Sequence, residues 1–313
     1  MGRQEHGPWM EQLLVTGLGG FVGRHVQAAL APADQSQWAL WQPASYDLLE
    51  PDSLDRLLGR GCPDAVIHLA GQTFVPEAVR DPRRTLDINL LGTLNLLQAL
   101  KRAGFAGTFL YVSSGDVYGT VEEANLPIRE STLPRPRNPY AVSKVCAELL
   151  CQQWSYGEPW RIMVVRPFNH IGPGQKESFV IANMARQIVR VRKGLQQSQL
   201  KVGDIDVSRD FLDVRDVVRA YFHLLRHGRS GEVYNLCSGQ ERRVRDLIEA
   251  MATLAGVEVE LQQDAARFRL SEQRRVSARA DKLQAETGWK PGITIMESLH
   301  SVLCDWEVRD TQG

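Results

Sequence analysis

Tyr140 and Lys144 stand in the run Asn138-Pro139-Tyr140-Ala141-Val142-Ser143-Lys144. On a helix, residues four apart lie one turn apart on the same face. A phenol titrates at about pH 10 in isolation. A neighbouring ammonium favours the phenolate, which brings proton exchange with a substrate oxygen within reach near neutrality. A proton donor of that kind suits chemistry at an alcohol or ketone carbon. The spacing alone also fits an exposed helix carrying a surface lysine, so its weight depends on the elements around it.

Those elements begin near the N-terminus. Leu13-Leu14-Val15-Thr16 reads as a buried strand running straight into Gly17-Leu18-Gly19-Gly20-Phe21-Val22-Gly23, and a helical pattern follows to about Leu30. Glycines allow a tight turn and let bare backbone approach a ligand, while the helix N-terminus supplies N–H groups and partial positive charge for a pyrophosphate. A glycine-rich loop between strand and helix is the context in which a dinucleotide binds. Further strand-like runs at about 38–41, 65–69, 108–112 and 161–166 alternate with helical patterns around 52–59, 83–103 and 140–155. Such alternation predicts an α/β fold with a parallel sheet and helices on both faces. After Arg166 the rhythm loosens: helices are expected at about 178–193 and 216–225, with two more helical patterns and the turn Gly288-Trp289-Lys290-Pro291-Gly292 between 236 and 307. The expected plan is a dinucleotide-binding domain over 11–166 with a return segment at about 208–235. Segments 167–207 and 236–307 would then form a substrate-binding lobe.

Composition narrows the function classes. Lys plus Arg and Asp plus Glu both total 37, so no basic field argues for nucleic acid. Apolar content of 43% is that of a globular protein. No stretch approaches the roughly 18 consecutive apolar residues of a membrane span. Cys62, Cys146, Cys151, Cys237 and Cys304 are odd in number and lack metal-ligand spacing. They are expected to be reduced thiols of a cytoplasmic protein without a metal site. Met1 to Gln12 is polar and lacks the apolar region of a signal peptide, and is expected to be a loose leader.

Thr16-Gly17-x-x-Gly20-x-x-Gly23 and Tyr140-x-x-x-Lys144 together resemble the short-chain dehydrogenase/reductase superfamily, in its extended branch acting on nucleotide sugars. Between them stand His68-Leu69-Ala70-Gly71-Gln72, Asn89-Leu90-Leu91-Gly92-Thr93 and Ser113-Ser114-Gly115-Asp116-Val117-Tyr118-Gly119, in the order that branch uses. Arg166-Pro167-Phe168-Asn169, Arg209-Asp210-Phe211-Leu212-Asp213-Val214 and Tyr234-Asn235-Leu236 follow, so the resemblance spans roughly 11 to 305. It implies a Rossmann-type doubly wound parallel sheet with a smaller interleaved C-terminal substrate lobe. Hydride transfer at a secondary alcohol or ketone is the implied chemistry. Tyr140 would exchange the proton, Ser114 would hydrogen-bond the same oxygen, and Lys144 would hold the nicotinamide ribose and stabilise the tyrosinate. Cofactor contacts are implied for Gly17, Gly20, Phe21, Val22, Gly23, Asp47, Leu48, Leu69, Ala70 and Gly71. An NAD site usually places an acid about 20 positions beyond the glycines. Trp41-Gln42-Pro43-Ala44-Ser45 offers none, which favours NADP(H) and leaves NAD(H) open. Arg24 either approaches a 2′-phosphate or simply covers the first helical turn.

The resemblance extends to members that reduce the 4-keto group of a GDP-linked 4-keto-6-deoxy sugar, GDP-4-dehydro-6-deoxy-D-mannose. Arg209 resembles the diphosphate-binding arginine, Asn169 a sugar-nucleotide contact and Lys193 a base contact. Arg269-Leu270-Ser271-Glu272 resembles an Arg-Pro-x-Glu segment that grips phosphate and ribose, with leucine in place of proline. Ser114 and Asp116 complete the implied substrate set. Alternatives remain: a GDP-mannose 4,6-dehydratase, a nucleotide-sugar 4-epimerase, or a non-catalytic NADP-binding regulator. Dehydratases place a proton-donating side chain and a glutamate after the serine, whereas this chain has Gly115 and a shorter Asp116. Epimerisation needs only the hydride relay. A regulator would ordinarily lose Ser114, Tyr140 or Lys144. Leu90, Leu94, Leu97, Ala147 and Leu150 lie on helices that this branch packs against a twin, so a homodimer is expected.

Overall fold

A computed structural model describes residues 10–30, 37–41, 45–59, 61–264 and 273–310. The described chain divides into two compact units. Met1–Ser113, Asn138–Val165 and Leu224–Val233 make the first, and Ser114–Arg137, Arg166–His223 and Tyr234–Gly313 the second.

The first unit is built on strands β1 (Glu11–Thr16), β2 (Trp38–Leu40), β3 (Ala65–His68), β4 (Thr108–Val112) and the start of β5 (Arg161–Pro167). β2, β1, β3, β4 and β5 neighbour one another in that order and are parallel throughout. Chain order reverses beside β1, the position at which open α/β sheets leave a crevice for ligands. β3 and β4 are buried along their whole length on both faces, which is why they read as largely continuous apolar runs. Leu14, Val66, Phe109, Tyr111, Ile162 and Val164 face one way. They pack with Leu54, Leu57 and Leu58 of α2 (Pro51–Leu58), Leu96, Leu97 and Leu100 of α5 (Gly92–Arg102), and Ala147 and Cys151 of α6 (Pro139–Gly157). Leu13, Ile67, Leu110 and Met163 alternate with them and are fully buried as well. α1 (Phe21–Leu30) buries Val26 and Leu30.

One long helix is predicted over 83–103, and the structure breaks it. Short helices α3 (Val75–Arg80) and α4 (Pro82–Leu86) lead into a π turn at Asp87–Leu91, and only then does α5 begin. Asp81 caps α4 by accepting the Arg84 N–H at 2.9 Å, with Pro82 at the first helical position. α6 starts in the same way, with Pro139 after Asn138, whose side-chain oxygen accepts the Ala141 N–H at 2.8 Å.

In the second unit β6 (Asn169–Ile171), β8 (Ser208–Asp213) and β10 (Glu241–Arg243) form a three-stranded sheet. β7 (Gln199–Val202) pairs with β11 (Glu260–Gln263), while β9 (Val233–Leu236) carries the chain back to β5. Its core joins Ile181, Met184 and Ile188 of α7 (Val180–Arg192), Leu247 and Met251 of α9 (Val244–Ala255), and Leu299, Val302 and Trp306 of α11 (Ile295–Arg309). Among the described residues three helices follow residue 236 rather than two, because α10 (Asp281–Thr287) is too short to show a period. The expected turn at Gly288 is present, with Gly288 at φ 70°. It is tied to α8 (Val214–His227) by buried Asp216, whose carboxylate accepts the N–H groups of Gly292 and Ile293 at 2.9 Å each.

Candidate active site

Tyr140 lies in the first turn of α6, 7% exposed, and Lys144 lies one turn later, 3% exposed. The Lys144 ammonium donates to the Val112 carbonyl at 2.9 Å and sits 5.0 Å from the Tyr111 ring centroid and 6.0 Å from that of Tyr140. Burial brings its pKa down to about 8, against the opposing influence of Glu148 and Cys151. The spacing in sequence has therefore become a juxtaposition of phenol and cation. Burial also pushes the Tyr111 hydroxyl well up, so Tyr111 stays neutral beneath the ammonium.

The glycine turn leaves β1 with Gly17 at φ +75°, a conformation that suits glycine. A Cβ on Gly17 would come within 2.8 Å of the Ala70 nitrogen, and one on Gly23 within 2.4 Å of the Gly17 carbonyl. The Gly20 N–H donates to the Gly17 carbonyl at 2.9 Å and the Gly17 N–H to the Tyr46 hydroxyl at 3.2 Å. Phe21 and Val22 open α1, so the turn ends at a helix N-terminus suited to an anion. Arg24 donates to the Gly19 carbonyl at 3.2 Å. Asp47 is exposed and accepts the Leu49 N–H at 2.8 Å, while Leu48 is buried beneath Gly92. Leu69, Ala70 and Gly71 leave β3 beside the turn, and a Cβ on Gly71 would lie 2.8 Å from Asn89 Oδ1 and 3.7 Å from Lys144 Nζ.

A chain of buried polar groups, to which the sequence reading gave no role, ties these parts together. The Ala70 N–H donates to Thr16 Oγ1 at 3.2 Å, and Thr16 lies 2.6 Å from His68 Nδ1. His68 Nε2 is 2.9 Å from Thr93 Oγ1, which donates to the Asn89 carbonyl at 2.7 Å. Since the Thr93 proton is spent on Asn89, Thr93 must accept from Nε2–H, and Nδ1 must accept from Thr16. Burial, aided by Lys144, lowers the His68 pKa to about 3, so the ring is neutral as this pattern requires. The Asn89 amide donates to the Gln72 carbonyl and to Ser143 Oγ, both at 2.9 Å, and Ser143 donates to the Tyr140 carbonyl at 2.7 Å. The signal in the sequence was a histidine closing the apolar run Ala65-Val66-Ile67.

The second unit opens at Ser114, half-buried, whose hydroxyl accepts the Asp116 N–H at 3.1 Å. Asp116 is exposed. A Cβ on Gly115 would come within 2.9 Å of the Phe168 ring, which stacks on Tyr118 at 6.1 Å between centroids. Asn169 and Arg209 fall on adjacent strands, Asn169 opposite Phe211 in the β6–β8 register. Asp210 is buried and accepts the N–H groups of Ser238 and Gly239 at 2.7 and 2.8 Å, which fixes the backbone beside Arg209. Lys193 closes the end of α7, and its ammonium donates to the Glu307 carbonyl at 2.9 Å. Arg269 and Glu272 lie outside the described residues.

The chain is similar to proteins of known activity and structure. It is 65% identical over 300 residues to the GDP-6-deoxy-D-mannose reductase of Pseudomonas aeruginosa, covering 96% of this chain and 98% of that protein. It is 29% identical to the GDP-6-deoxy-D-talose 4-dehydrogenase of Aggregatibacter actinomycetemcomitans, over 81% of this chain and 83% of that one. The solved structure of RMD from Pseudomonas aeruginosa complexed with NADPH superposes with a TM-score of 0.92 at 64% identity, covering 96% of this chain and 99% of that one. The family described as GDP-mannose 4,6 dehydratase matches residues 34–302, and with that match and the identity to the Pseudomonas reductase the chain belongs to this family.

Proposed function

We propose that the chain reduces the 4-keto group of GDP-4-dehydro-6-deoxy-D-mannose, with NADPH as reductant, to give GDP-6-deoxy-D-mannose. The observation that carries this reading is the 65% identity, over nearly the whole of both chains, to a protein of that name. The residues fit a dinucleotide: at Gly17 and Gly23 a Cβ would strike backbone atoms, so bare backbone lines the turn from which α1 starts. Gly17, Gly20, Phe21, Val22, Gly23, Asp47, Leu48, Leu69, Ala70 and Gly71 are assigned to hold it, with Lys144 on its ribose. When bound, the reduced cofactor supplies the hydride.

Tyr140 gives its proton to the oxygen as it becomes an alkoxide, and Ser114 hydrogen-bonds that oxygen. Lys144 stabilises the resulting tyrosinate, since its ammonium lies 6.0 Å from the ring centroid. In the second unit Asn169, Arg209 and Asp116 are assigned to the nucleotide sugar, together with Lys193, Arg269 and Glu272. Dehydration is disfavoured, because Gly115 carries no acid and the Phe168 ring stands where its side chain would begin. Two reactions test the reading. GDP-mannose with NADP⁺ is expected to release negligible 4-keto sugar. GDP-4-dehydro-6-deoxy-D-mannose is expected to consume NADPH one for one, with proton NMR of the product giving the configuration at C4. Rapid keto-sugar formation in the first, or no NADPH oxidation in the second, would overturn it.

We also propose a homodimer formed by the outer faces of α5 and α6. Leu97 and Ala147, expected in that interface, are instead fully buried inside the unit, and Leu90 and Leu150 pack against the same core. The apolar residues left outside are Leu91, 45% exposed, and on α6 Val142, Leu149 and Tyr156, 38%, 60% and 78% exposed. Their seven-residue spacing draws one stripe along the helix. Leu149→Arg is expected to convert the dimer to a monomer in light scattering at micromolar concentration, and a wild-type monomer there would refute the assembly. No helix among the described residues is long and apolar enough to cross a membrane, and the five cysteines are unbridged. We propose a cytoplasmic setting, which the free thiols suit.

A further inference from the structure

In the antiparallel pairing of β8 and β10, Arg209 stands directly opposite Arg242. Residues so placed project from one face of the sheet with Cβ atoms about 4.5–5.5 Å apart, and like charges there repel. Arg209 Nη1 donates to the Ser208 carbonyl at 2.8 Å, and four further arginines around this strand pair meet carboxylates. Arg243 meets Asp246 at 2.7 Å, Arg245 meets Asp206 at 2.8 Å, Arg274 meets Asp204 at 2.5 Å and Arg275 meets Glu241 at 2.9 Å. Arg242 has no ion pair among the described residues. Its Nη2 donates to the side-chain oxygen of Gln240, and its Nε–H is buried without an acceptor among the described residues. An ionised donor left in that condition is costly unless something else satisfies it.

We propose that Arg242 and Arg209 together seat the diphosphate of the nucleotide sugar, one guanidinium to each phosphoryl group. This rests on the reading above that a GDP-linked sugar is the substrate, and it adds a binding residue that the sequence pattern did not single out. A guanidinium fork matches phosphate oxygens in pairs, and the buried Nε–H gains its acceptor when the anion arrives. With the diphosphate in place, two cations that repel across the strand pair share one dianion. Position 242 is thus selective for the charge of the ligand and indifferent to its base.

Calorimetric titration of wild type, Arg242→Gln and Arg242→Lys with GDP and with guanosine tests this. Arg242→Gln is expected to lose roughly 10- to 100-fold in GDP affinity and less than about twofold for guanosine, with Arg242→Lys recovering part of the loss. Without ligand, Arg242→Gln is expected to melt no lower than wild type, since a like-charge contact has been removed. GDP affinity within about twofold of wild type, or an equal loss for guanosine, would overturn the role of Arg242 while leaving the GDP reading intact. Wild-type protein that fails to bind GDP would overturn the substrate reading itself, and this proposal with it.

Discussion

Tyr140→Phe is expected to fold, to bind NADPH as wild type does, and to lose turnover by about 10²–10⁴-fold. The ring is 7% exposed and packs in the first turn of α6, so removing one oxygen leaves the packing unchanged. What disappears is the proton that, in the proposed mechanism, reaches the ketone oxygen in the transition state. Loss of a group acting only there lowers kcat and kcat/KM together while leaving cofactor binding alone. The measurements are NADPH oxidation at saturating ketone and a fluorescence titration with NADPH. Retention of more than about a tenth of wild-type kcat would remove Tyr140 from the proton-donor role. A loss of NADPH affinity equal to the loss of turnover would reassign it to holding the cofactor.

Gly23→Ala is expected to abolish measurable NADPH binding and to lower the melting temperature. Its new methyl would lie 2.4 Å from the Gly17 carbonyl oxygen and 2.6 Å from both the Cα and the carbonyl oxygen of Leu18. All three are backbone atoms, so no flexible side-chain tip can swing aside; either the turn opens or α1 starts elsewhere. In both cases the N–H groups proposed to bind the phosphates lose their common aim. Gly19→Ala is the matched control, because a Cβ there meets nothing within 4 Å and no positive φ demands glycine. It should bind NADPH within a few-fold of wild type. Equal affinities for the two variants would mean that the close approach at Gly23 has no bearing on the cofactor.

Where the sequence was legible, the physics was local. Ala65-Val66-Ile67 is apolar throughout because β3 is covered on both faces, and Asn138-Pro139 announces α6 because each residue does a cap's work in the first turn. The Tyr140 and Lys144 pair needed only helical spacing to be seen. The π turn at Asp87–Leu91 was not readable, since Leu86, Leu90, Leu94 and Leu97 keep a period that an unbroken helix would share. Yet that turn is what delivers Asn89 to Gln72 and Ser143. β6 and β10 span three residues each and are largely polar, too short for an alternation to show. Arg242 was hidden with them, because a cross-strand register is a property of two distant segments rather than of either one.

The hydrogen-bonded row through His68 has a single direction. At one end the Ala70 N–H can only give, and at the other the Asn89 carbonyl can only take. A proton cannot travel along a row whose two ends are fixed in that sense, because its passage would leave every link reversed and the end groups unable to follow. His68 is therefore a strut and not a wire: it aligns β1, β3 and the π turn but cannot reload Tyr140 after a turnover. In the mechanism proposed above, the titratable group at hand to recharge Tyr140 is Lys144, a buried amine with a pKa of about 8 one turn away.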